Sequence, residues 1–207
     1  YDLYRLNLRT KKEKRLTRSA RTQQPDVSAE YGKIVCVVQE DGTCNLAVFD
    51  LQNNTLKKIT HYHQGEQIYT PRWMSEGRIV FTFTEGNSSR NIACIDSSGS
   101  GFFYLIRNSH DTRDAFPSAN GKQLYFSSDS SGIFNVYCRN IQTGNTKQLT
   151  RVIGGAFMPA WGKDDRLVFT LFTADGYKIA YQDSVSEITV QERKYESPFV
   201  EIRNWRN

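Results

Sequence analysis

The sequence lacks any apolar run long enough to cross a membrane. Its longest largely apolar stretch, Val152 to Trp161, is about half of the length that a bilayer requires and contains a proline. The chain is polar on average, yet 13% of its residues are aromatic, and this content excludes disorder as the main state. The chain begins at Tyr1 with no visible signal peptide, so we expect a processed product or a piece of a longer protein.

Residue types that commonly act in catalysis or bind metals are scarce. The 207 residues include four cysteines and three histidines, and the absence of a C-x-x-C pair argues against a zinc ribbon or a redox motif. The sequence contains no Gly-x-Ser-x-Gly elbow, phosphate-binding loop, dinucleotide glycine pattern or His-Glu-x-x-His motif. We therefore expect no catalytic residue, no metal site and no cofactor in this chain.

Positive charge is concentrated at one end of the chain. Residues 1–21 hold eight basic and two acidic side chains, a sum of +6, whereas the whole chain carries +5, so the other residues sum to −1. A nucleic-acid-binding domain would present a basic face over its whole surface. We predict no nucleic-acid partner and interpret these charges as the soluble outer edge of a strand pair.

A repeat organises most of the chain. A six-residue pattern recurs five times, and the last residues of its copies are separated by 43, 46, 44 and 43 positions. Nine residues after each of the first four copies comes an apolar residue, followed in three cases by threonine. The copies are Asp2–Asn7, Asn45–Asp50, Asn91–Asp96, Asn135–Asn140 and Lys178–Asp183, and the apolar residues are Leu16, Ile59, Leu105 and Leu149.

Each repeat unit is predicted to form four short strands with turns between them. In the second unit the strands are expected over about 24–28, 34–38, 45–50 and 56–60, and Asp41-Gly42 is a turn pair that tolerates positive φ. No segment has a sustained helical period. Four strands in every 40 to 50 residues are typical of a propeller blade. We predict an all-β propeller with about four and a half blades, in units 1–17, 18–60, 61–106, 107–150 and 151–183, followed by a tail over 184–207.

The repeat resembles a known family. Ala115–Tyr137 and the ending Leu149-Thr150 are similar to the TolB-type, WD-repeat-like β-propeller repeat, in which a Pro-x-Trp-Ser-Pro-Asp-Gly-Lys stretch leads into the second strand and Leu-Thr closes the unit. The turn at Glu30-Tyr31-Gly32 departs from this pattern by one extra residue, and Lys163-Asp164-Asp165 lacks the glycine.

The resemblance implies a propeller larger than this chain. Six blades would need roughly 270 residues at this period, so we expect a fragment of a longer parent chain, of a propeller with six or more blades. The alternative is a five-bladed ring, closed by strand-like segments of the tail at 187–191 and 199–203.

The resemblance also implies a function. It implies a non-catalytic interaction module of the cell envelope, periplasmic or exported, that binds a protein or peptide partner at the mouth of the propeller channel. The alternative is the gating propeller of a prolyl-oligopeptidase-like serine peptidase, whose catalytic domain would lie outside this chain. The candidate partner-binding residues, in the loops that lead into the innermost strands, are Thr22, Gln23, Gln67, Tyr69, Arg113, Asp114, Gly155 and Phe157.

The histidines suggest a third function, a propeller lyase or hydrolase with its site in the channel. His61 and His63 flank Tyr62 and could hold a metal with Glu66, although two solvated surface histidines are the favoured interpretation. The residues around His110, namely Asp111, Arg113 and Asp114, are interpreted as a charged loop with a local ion pair rather than a polar site.

The four cysteines are predicted to be free thiols. Cys94 and Cys138 fill one place in the third strand of two units, where the second unit has Val48, as a small apolar core residue would. Counting out from the Asp41-Gly42 turn places Cys36 opposite Ala47, so Cys36 is out of register for a bridge to Cys44.

Overall fold

The computed structural model describes residues 1–162 and 166–183, which form five antiparallel sheets. Each four-stranded sheet is a meander in which consecutive strands pair, as the repeat predicts. The 3-10 turn Ser75–Gly77 is the sole helical element in the described part of the chain. The all-β propeller class is therefore confirmed, whereas the tail strands expected at 187–191 and 199–203 lie outside the described residues.

The sheets follow the repeat units in chain order. The first is the pair β1 (Tyr4–Leu6) and β2 (Glu13–Arg15). Blade 1 contains β3 (Thr22–Ser28), β4 (Lys33–Glu40), β5 (Thr43–Asp50) and β6 (Thr55–Lys58). Blade 2 contains β7 (Gln67–Trp73), β8 (Arg78–Thr84), β9 (Asn91–Asp96) and β10 (Phe103–Ile106). Blade 3 contains β11 (Thr112–Pro117), β12 (Gln123–Ser128), β13 (Asn135–Asn140) and β14 (Thr146–Gln148), and a fourth sheet contains β15 (Ala156–Trp161), β16 (Leu167–Thr173) and β17 (Gly176–Gln182).

The hairpin between β4 and β5 shows how local sequence sets the register. Glu40 pairs with Thr43 across a two-residue turn, in which Asp41 and Gly42 have φ values of 47° and 78°. A turn with positive φ at both central residues matches the twist of the flanking strands. The same register places Cys36 opposite Ala47, as the sequence predicts.

Middle strands of the blades are buried on both faces. Along β8, Phe81 packs into a cluster with Val35 of blade 1, whereas the adjacent Val80 packs into a cluster with Leu124 of blade 3. Successive side chains of a strand point to opposite faces, so one strand contributes to two cores. The innermost strands β3, β7, β11 and β15 contact one another in sequence, and the sheets therefore form an arc around a common channel.

The two tryptophans that follow a proline by two positions join neighbouring sheets. The Trp73 indole Nε1 donates to the carbonyl of Asp26 in blade 1 at 3.1 Å, and its ring lies 5.8 Å from that of Tyr31. The Trp161 ring stacks on Tyr125 of blade 3 at 4.7 Å. This landmark of the repeat is thus an inter-blade contact, which combines apolar burial with a hydrogen bond for the indole N–H.

A hydrogen-bonded latch closes three of the units. In blade 3 the Thr150 hydroxyl accepts the amide of Val136 at 2.8 Å and donates to Asn135 Oδ1 at 3.1 Å. That amide oxygen also accepts the backbone N–H of Val152 at 3.0 Å, where the chain leaves for the next sheet. Asn45 with Thr60, and Asp2 with Thr17, form the same arrangement. The paired Asn/Asp and Thr landmarks therefore tie the outer edge of a unit to its third strand.

Blade 2 departs from the predicted landmark. The sequence places Leu105 in the apolar position that closes the unit, whereas the structure pairs Ile106 with Ile92 after an irregularity between Tyr104 and Ile106. Ile106 is buried, and Leu105 is partly exposed. A bulge adds one residue to a strand without changing its partner, and it moves the closing apolar position from nine to ten residues after Asp96.

The Thr150 latch can be tested with a single hydroxyl removal. We expect Thr150→Val to lower the free energy of unfolding by about 1–3 kcal/mol, because it leaves the buried Asn135 oxygen and the Val136 amide with fewer partners. Chemical denaturation measures the change. The matched control is Thr146→Val on the exposed strand β14, where a change near zero is expected. Equal effects of the two substitutions would contradict a specific role for the latch.

The free-thiol prediction is confirmed, since all four cysteines are free and buried. Burial raises the pKa of Cys36 to about 12 and that of Cys94 to about 11, from an ordinary value near 9. The unfolded chain therefore releases these protons at a lower pH than the folded chain does. The stability that the neutral thiols contribute is complete below about pH 9 and is lost as the pH rises toward the folded pKa values.

We accordingly expect the free energy of unfolding to fall between pH 9 and pH 11. The double variant Cys36→Ala, Cys94→Ala should lose stability less steeply over this range, although it starts lower because of lost packing. Urea denaturation at pH 8, 9, 10 and 10.5 gives both slopes. Parallel slopes for the two proteins would show that the thiols do not cause the decline.

Candidate functional site at the channel mouth

Each innermost strand carries a bulge at the same place. The register of β3, β7, β11 and β15 with the second strand of its sheet shifts there, and one non-glycine residue adopts a left-handed conformation. These residues are Gln24 (φ 51°), Thr70 (φ 46°), Asp114 (φ 58°) and Met158 (φ 50°). Left-handed conformations of non-glycine residues cost of order 1–3 kcal/mol each and cluster at functional sites. The four bulges mark the channel wall as the first place to look for a site.

Side chains of the bulges brace the neighbouring bulge. The backbone amide of Thr70 donates to Gln24 Oε1 at 2.6 Å, and the amide of Met158 donates to Asp114 Oδ2 at 3.2 Å. The amide of Asp114 donates to Thr82 Oγ1 of blade 2. Apart from Gln24, each left-handed residue thus donates its backbone N–H to a side chain of the preceding blade. These bonds fix the geometry of the channel wall across blade boundaries.

A charged pair lines the wall between blades 1 and 2. Asp26 accepts from Arg72 Nη1 at 3.0 Å and from the backbone amide of Trp73 at 2.8 Å. Both ionic side chains are partly exposed, with 23% of Asp26 and 41% of Arg72 accessible. Exposed pairs of this kind contribute little stability, so their main effect is to make this part of the channel polar.

The wall between blade 2 and the fourth sheet contains a cavity of about 130 Å³. Thr70, Arg72, Asp114, Phe116 and Met158 contribute to its lining. The Thr70 hydroxyl oxygen is buried and has no hydrogen-bond partner within the part of the chain that the structure describes. Burial also raises the pKa of Asp114, against the opposing effects of its bond from Met158 and of Arg113. A strained, desolvated carboxyl group beside an unpartnered hydroxyl is an arrangement typical of a binding site rather than of a core.

Four of the predicted site residues come together at the mouth of this channel. The Arg113 guanidinium lies over the Phe157 ring at 4.9 Å, and Asp114 binds the amide that follows Phe157. Gly155 has φ 129°, and a Cβ there would lie 2.7 Å from the Phe157 ring, so only glycine permits this packing. Tyr69, a fifth predicted residue, lies on the innermost strand β7 of blade 2 and is partly buried.

The other three predicted residues are not part of this cluster. Thr22 is only 3% exposed and is therefore not accessible to a partner. Gln23 lines a separate depression with Tyr1 and Arg21. The Gln67 amide donates to the carbonyls of Gly42 and Gly65 at 2.7 and 2.9 Å, so it ties blade 2 to a turn of blade 1. Equivalent loop positions thus have different surroundings in different blades.

The structure adds residues that the sequence reasoning missed. Phe134, Arg90, Cys44 and Tyr177 each stand immediately before a copy of the third-strand pattern. Phe134 lies 5.0 Å from Phe157, Tyr177 lies 6.2 Å from Phe157, and Arg90 binds Asp111 with distances of 2.9 and 2.5 Å. The sequence contained the signal, because one fixed position of the repeat supplies Phe134, Arg90 and Tyr177, whereas Cys44 at the same position of blade 1 is buried in the core. The sequence alone does not show that this position reaches the channel mouth.

The histidines do not assemble a metal site. His63 Nδ1 contacts the carbonyl of His61 at 3.4 Å, and Glu66 accepts the amide of Gln64. In residues 1–162 and 166–183 no group of three or more His, Cys, Asp or Glu side chains could hold a metal ion. The ion pair expected in the His110 loop is present, but its basic partner is Arg90 rather than Arg113.

The architecture is that of an open β-propeller arc, and comparisons with known structures agree with it. The chain is similar to TolB from Acinetobacter baumannii, with a TM-score of 0.77, 23% identity and coverage of 91% of this chain and 47% of that protein. A putative TolB from Agrobacterium tumefaciens gives a TM-score of 0.75 at 16% identity and covers 87% of this chain and 69% of that protein. The fold is therefore that of the TolB-type β-propeller, as the sequence predicts.

Other propellers share this fold. Puromycin hydrolase matches with a TM-score of 0.67 at 12% identity, over 90% of this chain and 32% of that protein. No family model and no curated protein matches the sequence. The chain spans about half the length of the Acinetobacter TolB structure. Among the described residues, no helix is long and apolar enough to span a membrane.

The ionisation of Asp114 in the channel wall can be tested through its effect on stability. Because burial raises its folded pKa, the contribution of this group to stability is complete below its ordinary pKa and is lost as the pH rises through the folded value. Asp114→Asn keeps an oxygen for the Met158 amide and removes the ionisation. We expect this variant to melt at a higher temperature than wild type at pH 7, by an amount that shrinks toward pH 3.5.

Thermal unfolding followed by circular dichroism checks this expectation. The control is Asp111→Asn, which removes the bidentate pair with Arg90 and should lower the melting temperature at pH 7. A loss of stability in Asp114→Asn at pH 7, or a gain that does not vary with pH, would show that Asp114 is a structural carboxylate.

Proposed function

We propose that this chain is a non-catalytic interaction module of a TolB-like propeller, and that it binds a protein or peptide at the channel mouth. The observation that carries the proposal is the exposed row of aromatic and apolar side chains there. Tyr177 is 68% exposed, Ile153 93%, Met158 63% and Phe172 42%. Aromatic side chains, methionine and arginine are enriched at the centres of protein interfaces.

The form of the mouth supports a polypeptide partner. It contains aromatic rings, an arginine and partly buried polar groups, which are the side chains that polypeptide partners contact. An extended chain or a loop can fill such a groove with alternating apolar and polar side chains. Contiguous exposed apolar patches rimmed by polar residues mark interaction sites.

The proposal includes a periplasmic or exported location, which rests on the likeness to TolB. The buried thiols are compatible with such a compartment, since their raised pKa values keep them protonated and unreactive. The likeness to puromycin hydrolase covers about a third of that protein and comes from the propeller fold alone. No contact in the described residues favours a gating role over partner binding.

Peptide selection followed by mutagenesis tests the proposal. Cyclic peptides would be selected on immobilised wild-type protein, and their dissociation constants measured for Tyr69→Ala combined with Arg113→Ala. We expect binding to weaken at least tenfold, about 1.4 kcal/mol, because the substitutions remove an aromatic and a cationic anchor. The melting temperature should fall by no more than a few degrees, since both side chains lie at the rim.

The matched control is Tyr4→Ala combined with Arg107→Ala, which removes the same residue types from exposed positions in the first strand pair and directly after β10. Its affinity for the peptides should equal that of wild type. Peptides that bind both variants as tightly as wild type would place the dominant binding surface elsewhere and refute the channel-mouth site.

A further inference from the structure

The Arg113 guanidinium packs against two aromatic rings at the mouth. Its guanidinium carbon lies 4.2 Å from the centre of the Phe134 ring and 4.9 Å from that of Phe157. Phe134 comes from the turn between β12 and β13, and Phe157 comes from β15 of the next sheet. The two ring centres are 5.0 Å apart, so the rings form one continuous surface that orients the guanidinium and removes part of its hydration. The group is therefore preorganised and only half-buried.

Arg113 has no acidic partner within the described residues, unlike other arginines near the channel. Arg72 pairs with Asp26, and Arg90 pairs with Asp111 in a bidentate arrangement. Arg113 forms no ion pair there, and its Nε is buried without a hydrogen-bond partner. Arg113 opposes the rise in the pKa of Asp114 without forming a salt bridge to it, so the guanidinium can still take a direct partner from a ligand.

The neighbouring carboxyl groups form hydrogen bonds to groups other than Arg113. Asp111 receives both hydrogen bonds from Arg90, and Asp114 Oδ2 accepts the Met158 amide. Because Nε is covered by protein, the terminal Nη1 and Nη2 groups form the edge that a ligand can reach. Two parallel N–H groups of this kind match the two oxygens of a carboxylate.

Apolar surface extends from Arg113 as one continuous row. Phe134 and Phe157 have ring centres 5.0 Å apart, and Phe157, Tyr177 and Phe172 continue with ring centres 6.2 and 4.9 Å apart. A carboxylate at a chain terminus has apolar residues on one side of it only. An acidic side chain inside a loop, with apolar residues before and after it, can cover more of the row.

We propose that the Arg113 guanidinium, packed against Phe134 and Phe157, binds the side-chain carboxylate of an acidic residue in a partner loop whose flanking apolar residues pack on the adjacent rings. This inference rests on the proposed function and specifies the chemistry of its partner. A guanidinium edge that forms no ion pair within the described residues favours an acidic partner over a basic one.

Defined peptides test the inference. The probe is acetyl-Leu-Phe-Glu-Phe-Leu-amide, compared with the same peptide carrying Gln in place of Glu and with the Gln peptide carrying a free C-terminal carboxylate. Binding would be measured by NMR titration of the backbone amides and of the Arg113 Nε–H. We expect the Glu peptide to bind wild type at least tenfold more tightly than either Gln peptide, with a preference that falls as salt is raised.

Two variants assign the preference to Arg113. In Arg113→Gln the Glu and Gln peptides should bind equally, whereas Arg107→Gln, which removes an exposed arginine stacked on Tyr104 at 4.6 Å, should keep the full preference. Arg113→Lys retains the positive charge but not the planar guanidinium group. We expect it to keep only part of the preference for the Glu peptide. This variant also serves if Arg113→Gln does not fold.

Three results would overturn the inference. They are equal binding of the Glu and Gln peptides to wild type, a preference that survives in Arg113→Gln, and equally tight Arg113-dependent binding of the Gln peptide through its free terminal carboxylate. Any of these could occur while selected peptides still depend on the mouth in the experiment above, so the proposed function would stand. If the selected peptides instead bound the Tyr69→Ala, Arg113→Ala variant as tightly as wild type, the proposed function itself would be refuted.

Discussion

A β-sheet with two apolar faces must cover both of them, and the rest of this structure follows from that constraint. The middle strands β5, β8 and β9 are buried almost throughout, so a single blade would expose apolar surface on either side. Packing of each sheet between two others removes this surface from water at about 25 cal/mol per Å². The repeat of the sequence is the consequence, because each sheet must offer its neighbours the same kind of face.

The same repeat places different demands on the two edges of a blade. At the outer edge, the Asn135–Thr150 latch satisfies buried polar groups and stabilises the exit of the chain. At the inner edge, the bulges hold Thr70 and Asp114 in left-handed conformations that neighbouring blades must support. The strain therefore lies in the channel wall, where the cavity and the half-buried charges are found. Stability and function are divided between the outer and the inner edge of each sheet.

Most of the fold could be predicted because its signals are local. The Asp41-Gly42 turn fixed the register of β4 with β5, and with it the free state of Cys36. The bulge before Ile106 could not be predicted, since its apolar neighbour Leu105 fits the pattern equally well and only packing distinguishes them. For the site, Arg113 and Phe157 were found from their loop positions. Thr22 and Gln67, predicted from the same loops, are buried or bound to a turn, which only the packing shows.

The sequence by itself determined the class of fold, the order of the strands and the inner strands that face the channel, because periodicity and turn chemistry act over a few residues. The tertiary structure decided which side chains share the mouth. Phe134 and Phe157 are separated by 23 positions and come from blade 3 and the next sheet, and both contact Arg113 only because blade 3 packs on that sheet. A contact across a blade boundary depends on the angle and distance between two sheets. Those quantities are set by the whole core between the sheets, and no single segment of the sequence encodes them.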